Sequence, residues 1–360
     1  MKRGIVVLGL IVAVMAGVML VRGGRELRPD AAADIERDHA MQGRPGARLA
    51  ADAVLAISPR VASPRPGAPA PTPKLSPAMQ EYTVAKAYKP IYERLKAAPS
   101  RSPEETWLLA KIVDDCAAVA GRDASSTRRP ADEEAMARFA ATLSPKDPLR
   151  EKRIAAFGAM NGDRCEGLRD VKATEKDIHD LLAEAAAAGD PKAAADLVQK
   201  DVLARFKDSN GKFSFAKPVM ISDAEIETLK RSMESGDPDA LMGATRVFIL
   251  PIANLSLRVG PDEQPIDMTA WFGATHLMAC DLGARCGPDS REVLNACALQ
   301  GHCDATNLRE YMYYYGMSPA ASQQIAQYQA YLAQAVRNRD WSAITFFRGP
   351  RPNVATFIGR

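Results

Sequence analysis

The chain has little charge of one sign, few aromatic residues and none of the compact motifs that mark common catalytic sites. Its 47 basic and 44 acidic side chains leave a formal charge of only +3. No basic stripe dominates, so an electrostatic case for nucleic acid is excluded. Aromatic residues are 6% of the 360 positions, against an apolar fraction of 47%. So much apolar material at so small a net charge excludes a wholly disordered chain. Walker A, G-x-S-x-G, H-E-x-x-H, C-x-x-C and C-x-x-C-H patterns are all missing, which removes the usual phosphate, hydrolase, zinc, redox and haem signatures. Ser209-Asn210-Gly211-Lys212 has the S-x-x-K spacing of penicillin-binding nucleophiles, but it reads as a β-turn and no K-T-G follows. Asp208-x-Asn210 begins like a calcium loop, yet Phe213 stands where that loop demands glycine.

What is present is alanine-rich and helical in lean. Residues 4–21 carry no charged or strongly polar side chain, and as a helix they would be about 27 Å long, close to the hydrocarbon thickness of a bilayer. Lys2 and Arg3 precede the run and Arg22 closes it, the pattern of a transmembrane signal-anchor. A cleaved signal peptide, cut after Ala16, is the alternative, but the apolar run continues past that point to Val21. The flanking charges do not settle orientation, since Arg22, Arg25, Arg28 and Arg37 outnumber those before the run. The stretch 58–77 holds seven prolines and reads as a semi-rigid spacer.

Six cysteines break the tie on compartment: Cys116, Cys165, Cys280, Cys286, Cys297 and Cys303. An even number suits disulfides, which belong in oxidising compartments. The last four follow C-x5-C-x10-C-x5-C. With His276 and His302 they raise a zinc hypothesis, but structural zinc prefers C-x2–4-C pairs and spacers of five suit local disulfides better. The expected pairs are Cys280–Cys286, Cys297–Cys303 and, across a longer loop, Cys116–Cys165. His302 and Cys303 are neighbours in sequence, which does not aim one side chain at the other, so no catalytic cysteine is assigned. No catalytic, metal or cofactor residue is assigned at all.

From residue 78 the punctuation is helical. Ser102-Pro103-Glu104-Glu105 and Ser222-Asp223-Ala224-Glu225 are capping boxes. The first predicts a helix with Leu109, Ile112, Val113, Cys116 and Ala120 on one face. Asp147-Pro148, Asp190-Pro191, Asp237-Pro238 and Ser318-Pro319 each place a cap before a proline, which opens a helix without loss. The last of these carries a stripe of Ala321, Ile325, Tyr328, Leu332 and Val336. Asn210-Gly211 within 206–215 predicts a hairpin turn, and 246–267, with Pro251, Pro261 and Pro265, reads as irregular. Glu104, Glu105, Asp114, Asp115, Glu133 and Glu134 read as caps and solvated faces. Tyr311, Tyr313, Tyr314 and Tyr315 concentrate aromatic surface. At helical spacing Leu308, Tyr311, Met312 and Tyr315 share a core face, which leaves Tyr313 and Tyr314 as a candidate binding surface.

Residues 182–193, LAEAAAAGDPKA, and 229–240, LKRSMESGDPDA, share a helix, then Gly-Asp-Pro, then a second helix. This frame resembles the helical hairpins of Sel1-like and tetratricopeptide repeat proteins. From Cys116 to Cys303 the chain also resembles a group of uncharacterised exported bacterial proteins with late paired cysteines, a likeness that implies no activity. The expected fold is all-α, an irregular array of antiparallel helical hairpins after one transmembrane helix and a Pro-rich linker. Its parts are a short tail (1–3), the anchor (4–21), the linker (22–77), a helical domain with a disulfide-braced C-terminal third (78–346) and a C-terminal tail (347–360). Such arrays expose long faces that bind other chains. The expectation is an inner-membrane protein facing the periplasm, with a protein partner in the envelope and no nucleic acid. The alternatives are release to the periplasm after signal cleavage and an envelope hydrolase with scattered carboxylates.

Overall fold

The computed structural model describes residues 75–119, 133–160, 164–207, 219–250, 255–261 and 263–348. The expected anchor 4–21, the linker up to residue 74, the Asn210-Gly211 turn, Ala120 and the tail from residue 349 lie outside them. Among the described residues no helix is long and apolar enough to cross a membrane.

The described chain is mostly helical. In order it forms α1 (Pro77–Val84), α2 (Lys89–Ala97), α3 (Pro103–Cys116), β1 (Ala118–Val119), α4 (Glu133–Thr142), α5 (Arg150–Met160), β2 (Lys172–Ala173), α6 (Glu175–Ala187) and α7 (Pro191–Arg205). Then come α8 (Asp223–Glu234), α9 (Pro238–Phe248), β3 (Ser256–Val259), β4 (Gln264–Pro265), α10 (Met268–Asp281) and α11 (Arg291–Asn295). A π-helical turn (Ala296–Gln300), α12 (Leu308–Glu310), a second π-helical turn (Tyr311–Gly316), α13 (Pro319–Asn338) and β5 (Ile344–Phe347) complete it.

Caps explain most of the helix starts. Ser102 with Glu105 and Ser222 with Glu225 form reciprocal capping boxes, and Thr174 with Asp177 forms a third. Ser76 caps α1 with Pro77 at its first turn, so the helical region starts one residue inside the expected linker. After Asp147-Pro148 a turn intervenes, and α5 begins at Arg150. The helix after Ser102 stops at Cys116 because Ala117 is extended and leads into β1, which pairs in parallel with β2. Its expected face therefore ends at Cys116.

Three apolar clusters hold these elements, the smallest joining α5 to the first π turn through Ala156, Cys297 and Ala298. The first is built on α2, α3 and α6 by Ile91, Leu95, Leu108, Ile112, Ile178 and Leu182. The second gathers α7 to α10 and α13 around Trp271, Leu241, Leu277, Ile325 and Leu332. Each such side chain contributes about 1.5–3 kcal/mol by leaving water. The stripe on α13 packs on α10, with Ile325, Tyr328, Leu332 and Val336 buried and Ala321 half-buried.

The irregular reading of 246–267 needs correction. Helix α9 continues to Phe248, and β3 then lies between β4 and β5 in an antiparallel sheet of order β4-β3-β5. Val259 pairs with Ile344 and Ser256 with Phe347, so the expected boundary at 346/347 falls inside a strand. The prolines misled because Pro261 sits in the turn between β3 and β4, and Pro265 lies on the edge strand β4, where a missing N–H costs nothing.

Candidate functional site

The structure joins Cys116 to Cys165, Cys280 to Cys286 and Cys297 to Cys303, with Cα–Cα distances of 5.0, 5.7 and 4.1 Å. These are the pairs that spacing favoured, and no cysteine is free. Disulfides fit an oxidising, exported setting. Local geometry accounts for the last pair. Gly301 adopts φ +80, a left-handed conformation that glycine tolerates without strain. The N–H of Gly301 then reaches the carbonyl of Cys297, and that of His302 reaches Ala296, which brings Cys303 back over the π turn. Arg153 on α5 reinforces this turn by donating to the carbonyl oxygens of Ala298 (2.9 Å) and Leu299 (3.1 Å).

The second π turn lies alongside. The hydroxyl of Tyr311 donates to Gln300 Oε1 at 2.8 Å, and the His302 ring stands 5.1 Å from that of Tyr315 and 6.1 Å from that of Tyr311. Tyr314 is 79% exposed and Tyr315 42%. Tyr313 instead packs against the main core, as do Tyr311 and Met317. The aromatic assignment is therefore corrected at two residues: Tyr315 leaves the core face and Tyr313 joins it. A π turn bonds i to i+5, so the face that buries Leu308 keeps Tyr311 and Met312 and widens to Tyr313, whereas α-helical spacing would carry it on to Tyr315. The resulting surface is Tyr314 and Tyr315 on the second π turn with His302, which lies within the loop that the Cys297–Cys303 bond closes.

A second constellation forms where the two Gly-Asp-Pro segments meet. Asp190 caps α7 and Asp237 caps α9, each accepting from backbone N–H groups of its own first turn. Both also face Lys192, whose Nζ lies 3.3 Å from Asp190, 3.1 Å from Asp237 and 3.0 Å from Glu104 of α3. Lys192 is only 4% exposed and sits 5.1 Å over the Trp107 ring. Burial alone would lower its pKa, but Asp237, Asp190 and Glu104 override that and raise it. The indole N–H of Trp107 donates to Asp196 at 2.8 Å, and Ser76 donates its hydroxyl to Glu104. Glu104 is thus a junction residue rather than a solvated cap, and Asp114 likewise pairs with Lys200 of α7 at 2.9 Å. The repeated Gly-Asp-Pro, followed by lysine in the first copy and aspartate in the second, was the sequence signal for this junction, but only packing shows that both caps share one ammonium.

Beside the junction, Lys111, Asp114, Asp196, Lys200 and Arg246 line a cavity of about 160 Å³. The charges there largely answer one another, as in Lys111–Asp115 and Lys200–Glu175. His276 is buried, with Nδ1 2.8 Å from the carbonyl oxygen of Phe272, and burial lowers its pKa. Because the sulfurs are bonded in pairs, neither His276 nor His302 has a thiolate to join in holding an ion.

Carboxylates outnumber cations at the junction. Burial raises the pKa of Asp190 and Asp196, and burial with the Asp237 charge pushes Asp239 up to about 6. A folded pKa above the unfolded one means that ionisation opposes folding, so stability is gained as pH falls from 7 through this range. Asp239 is open to solvent on one side, which screens part of the penalty. Glu105, whose pKa is lowered by the Ser102 N–H, acts oppositely: its contribution is lost only as pH falls below the usual carboxylate range. His276, whose pKa burial lowers, loses stability over the same interval, so the test is a difference: the change in urea midpoint from pH 7 to pH 5.5 is expected to be more favourable in the parent than in D239N, and an equal change in the two would refute the assignment.

Compared with known proteins, this chain matches no family model, no curated protein and no solved structure.

Proposed function

We propose that this chain is an exported scaffold that binds a protein partner through the tyrosine surface of its C-terminal third. The observation that carries this reading is Tyr314 and Tyr315 exposed on one π turn, with Tyr315 beside His302, in a chain with few aromatic residues. Rigid aromatic side chains anchor interfaces at small entropic cost, and π turns recur at functional positions. Arg153 and the Cys297–Cys303 bond hold the platform from beneath, so little ordering is required on binding. In this reading α6–α7 and α8–α9 are antiparallel helical hairpins of a Sel1-like array, with residues 4–21 as an inner-membrane anchor and the Pro-rich linker holding the domain out in the periplasm.

A photo-reactive phenylalanine analogue in place of Tyr314, irradiated in intact cells, is expected to give one discrete adduct of defined mass. The same analogue in place of Glu93, exposed on α2, should not. The double variant Y314A/Y315A should lose the partner in co-purification yet unfold within about 0.5 kcal/mol of the parent, as exposed substitutions do. Equal adducts at both positions would overturn the proposal. Alkylation in intact cells tests export, since the six cysteines should react only after reduction.

A further inference from the structure

Strand β5 lies at the edge of its sheet, and the backbone pattern shows which of its groups face outward. Gly260 donates its N–H to Ala343 at 2.9 Å. In an antiparallel pair the bonded and non-bonded positions alternate. With Val259 opposite Ile344 and Leu257 opposite Phe346, Thr345 and Phe347 therefore bond to β3, while Ile344 and Phe346 turn their N–H and C=O groups away from it. Two contacts agree with this register: Ile344 donates its N–H to Trp341 in its own turn, and Leu257 directs its carbonyl to Ile266 on the β4 side. Among the described residues nothing bonds to the outward N–H or C=O of Phe346.

This open edge borders a groove of about 390 Å³ between α8 and β5, lined among others by Ile226, Lys230, Trp341, Ile344, Phe346 and Arg348. The Lys230 ammonium lies 5.6 Å from the Trp341 ring centre and 5.2 Å from that of Phe346. The rim charges are already answered: Lys230 pairs with Glu227 at 2.7 Å, and Arg348 with Asp223 at 2.6 Å, across one end of the groove. What remains on offer is a pair of backbone hydrogen bonds beside aromatic surface, with no net charge to attract a charged ligand. A helix, with its own backbone satisfied, has nothing to gain from such an edge. An extended chain pairs it completely.

We propose that the outer edge of β5 receives an uncharged, extended peptide segment of a partner protein, which adds as a fourth strand in the order β4-β3-β5-peptide. Phe346 exchanges both backbone bonds with the residue opposite, and apolar side chains of the added strand lie in the groove against Trp341 and Ile226. The site is separate from the tyrosine surface, and its test does not depend on that reading.

The probe is a short blocked peptide of alternating valine and threonine, titrated into the full chain. Trp341 is its reporter, because Trp107 and Trp271 are buried. A saturable change in tryptophan emission is expected, with amide exchange at Phe346 slowed about tenfold or more. F346A and F346P both remove the ring, but only F346P removes the outward N–H, and that N–H makes no bond to β3. Binding to F346P should therefore be weaker than to F346A by about five-fold. Absence of a saturable change, equal weakening in the two variants, or equal binding of a proline-interrupted peptide would overturn the proposal. It is also overturned if the Phe346 amide is already protected without peptide, because residues 349–360 or a second copy would then hold the edge.

Discussion

Replacing Lys192 by methionine is expected to cost about 3–5 kcal/mol of stability at pH 7, the range for removing one partner of a buried ion pair. Methionine fills most of the same volume, so the loss is electrostatic. Without the ammonium, Glu104, Asp190 and Asp237 face one another where α3, α7 and α9 meet. Two of these carboxylates are also helix caps and cannot swing away without leaving backbone donors unpaired. Denaturant melts of K192M against the parent measure the cost. The triple variant K192M/E104Q/D237N should recover a large part of it, since neutral amides can lie side by side. The deficit should also shrink near pH 5, as the crowded carboxylates take up protons. A K192M variant that melts like the parent would show the junction to be open to water and screened.

Removing the Cys116–Cys165 bond is the other large effect. With the partners 49 positions apart along the chain, the loop-entropy relation assigns it about 4 kcal/mol. The same relation assigns about 2 kcal/mol each to Cys280–Cys286 and Cys297–Cys303, whose partners are 6 apart. The long bond ties the end of α3 to the turn before β2, so its loss releases α4 and α5 from a closed loop. Melts should show C116A/C165A more damaging than C280A/C286A or C297A/C303A, with the last two alike. A larger loss from either short bond would mean that local packing, rather than chain entropy, dominates.

Much of the fold was legible residue by residue. Capping boxes at Ser102 and Ser222, cap-proline starts at Asp190, Asp237 and Ser318, and the stripe on α13 all depend on interactions within a few residues, and the structure retains them. Cys280–Cys286 and Cys297–Cys303 belong here too, because a spacer of five restricts what a cysteine can reach, and they left Cys116 and Cys165 to each other. The small sheet was not legible. Strand β5 gains its partner from β3, more than eighty residues away, and short apolar runs such as Ile344–Phe347 carry no periodicity that separates strand from helix. The tyrosine surface was half legible: composition located it, but the shift from α to π spacing moved Tyr315 outward and Tyr313 inward.

Local propensity, then, determined where most helices begin and which of the last four sulfurs are near enough to bond, because those energies are settled between neighbours in the chain. Assembly decided the rest. That two cap aspartates and a glutamate converge on one buried lysine, and that β5 forms the sheet edge beside a groove among the described residues, follow from contacts between distant segments. Their cost and gain exist only once the elements have packed and water has left.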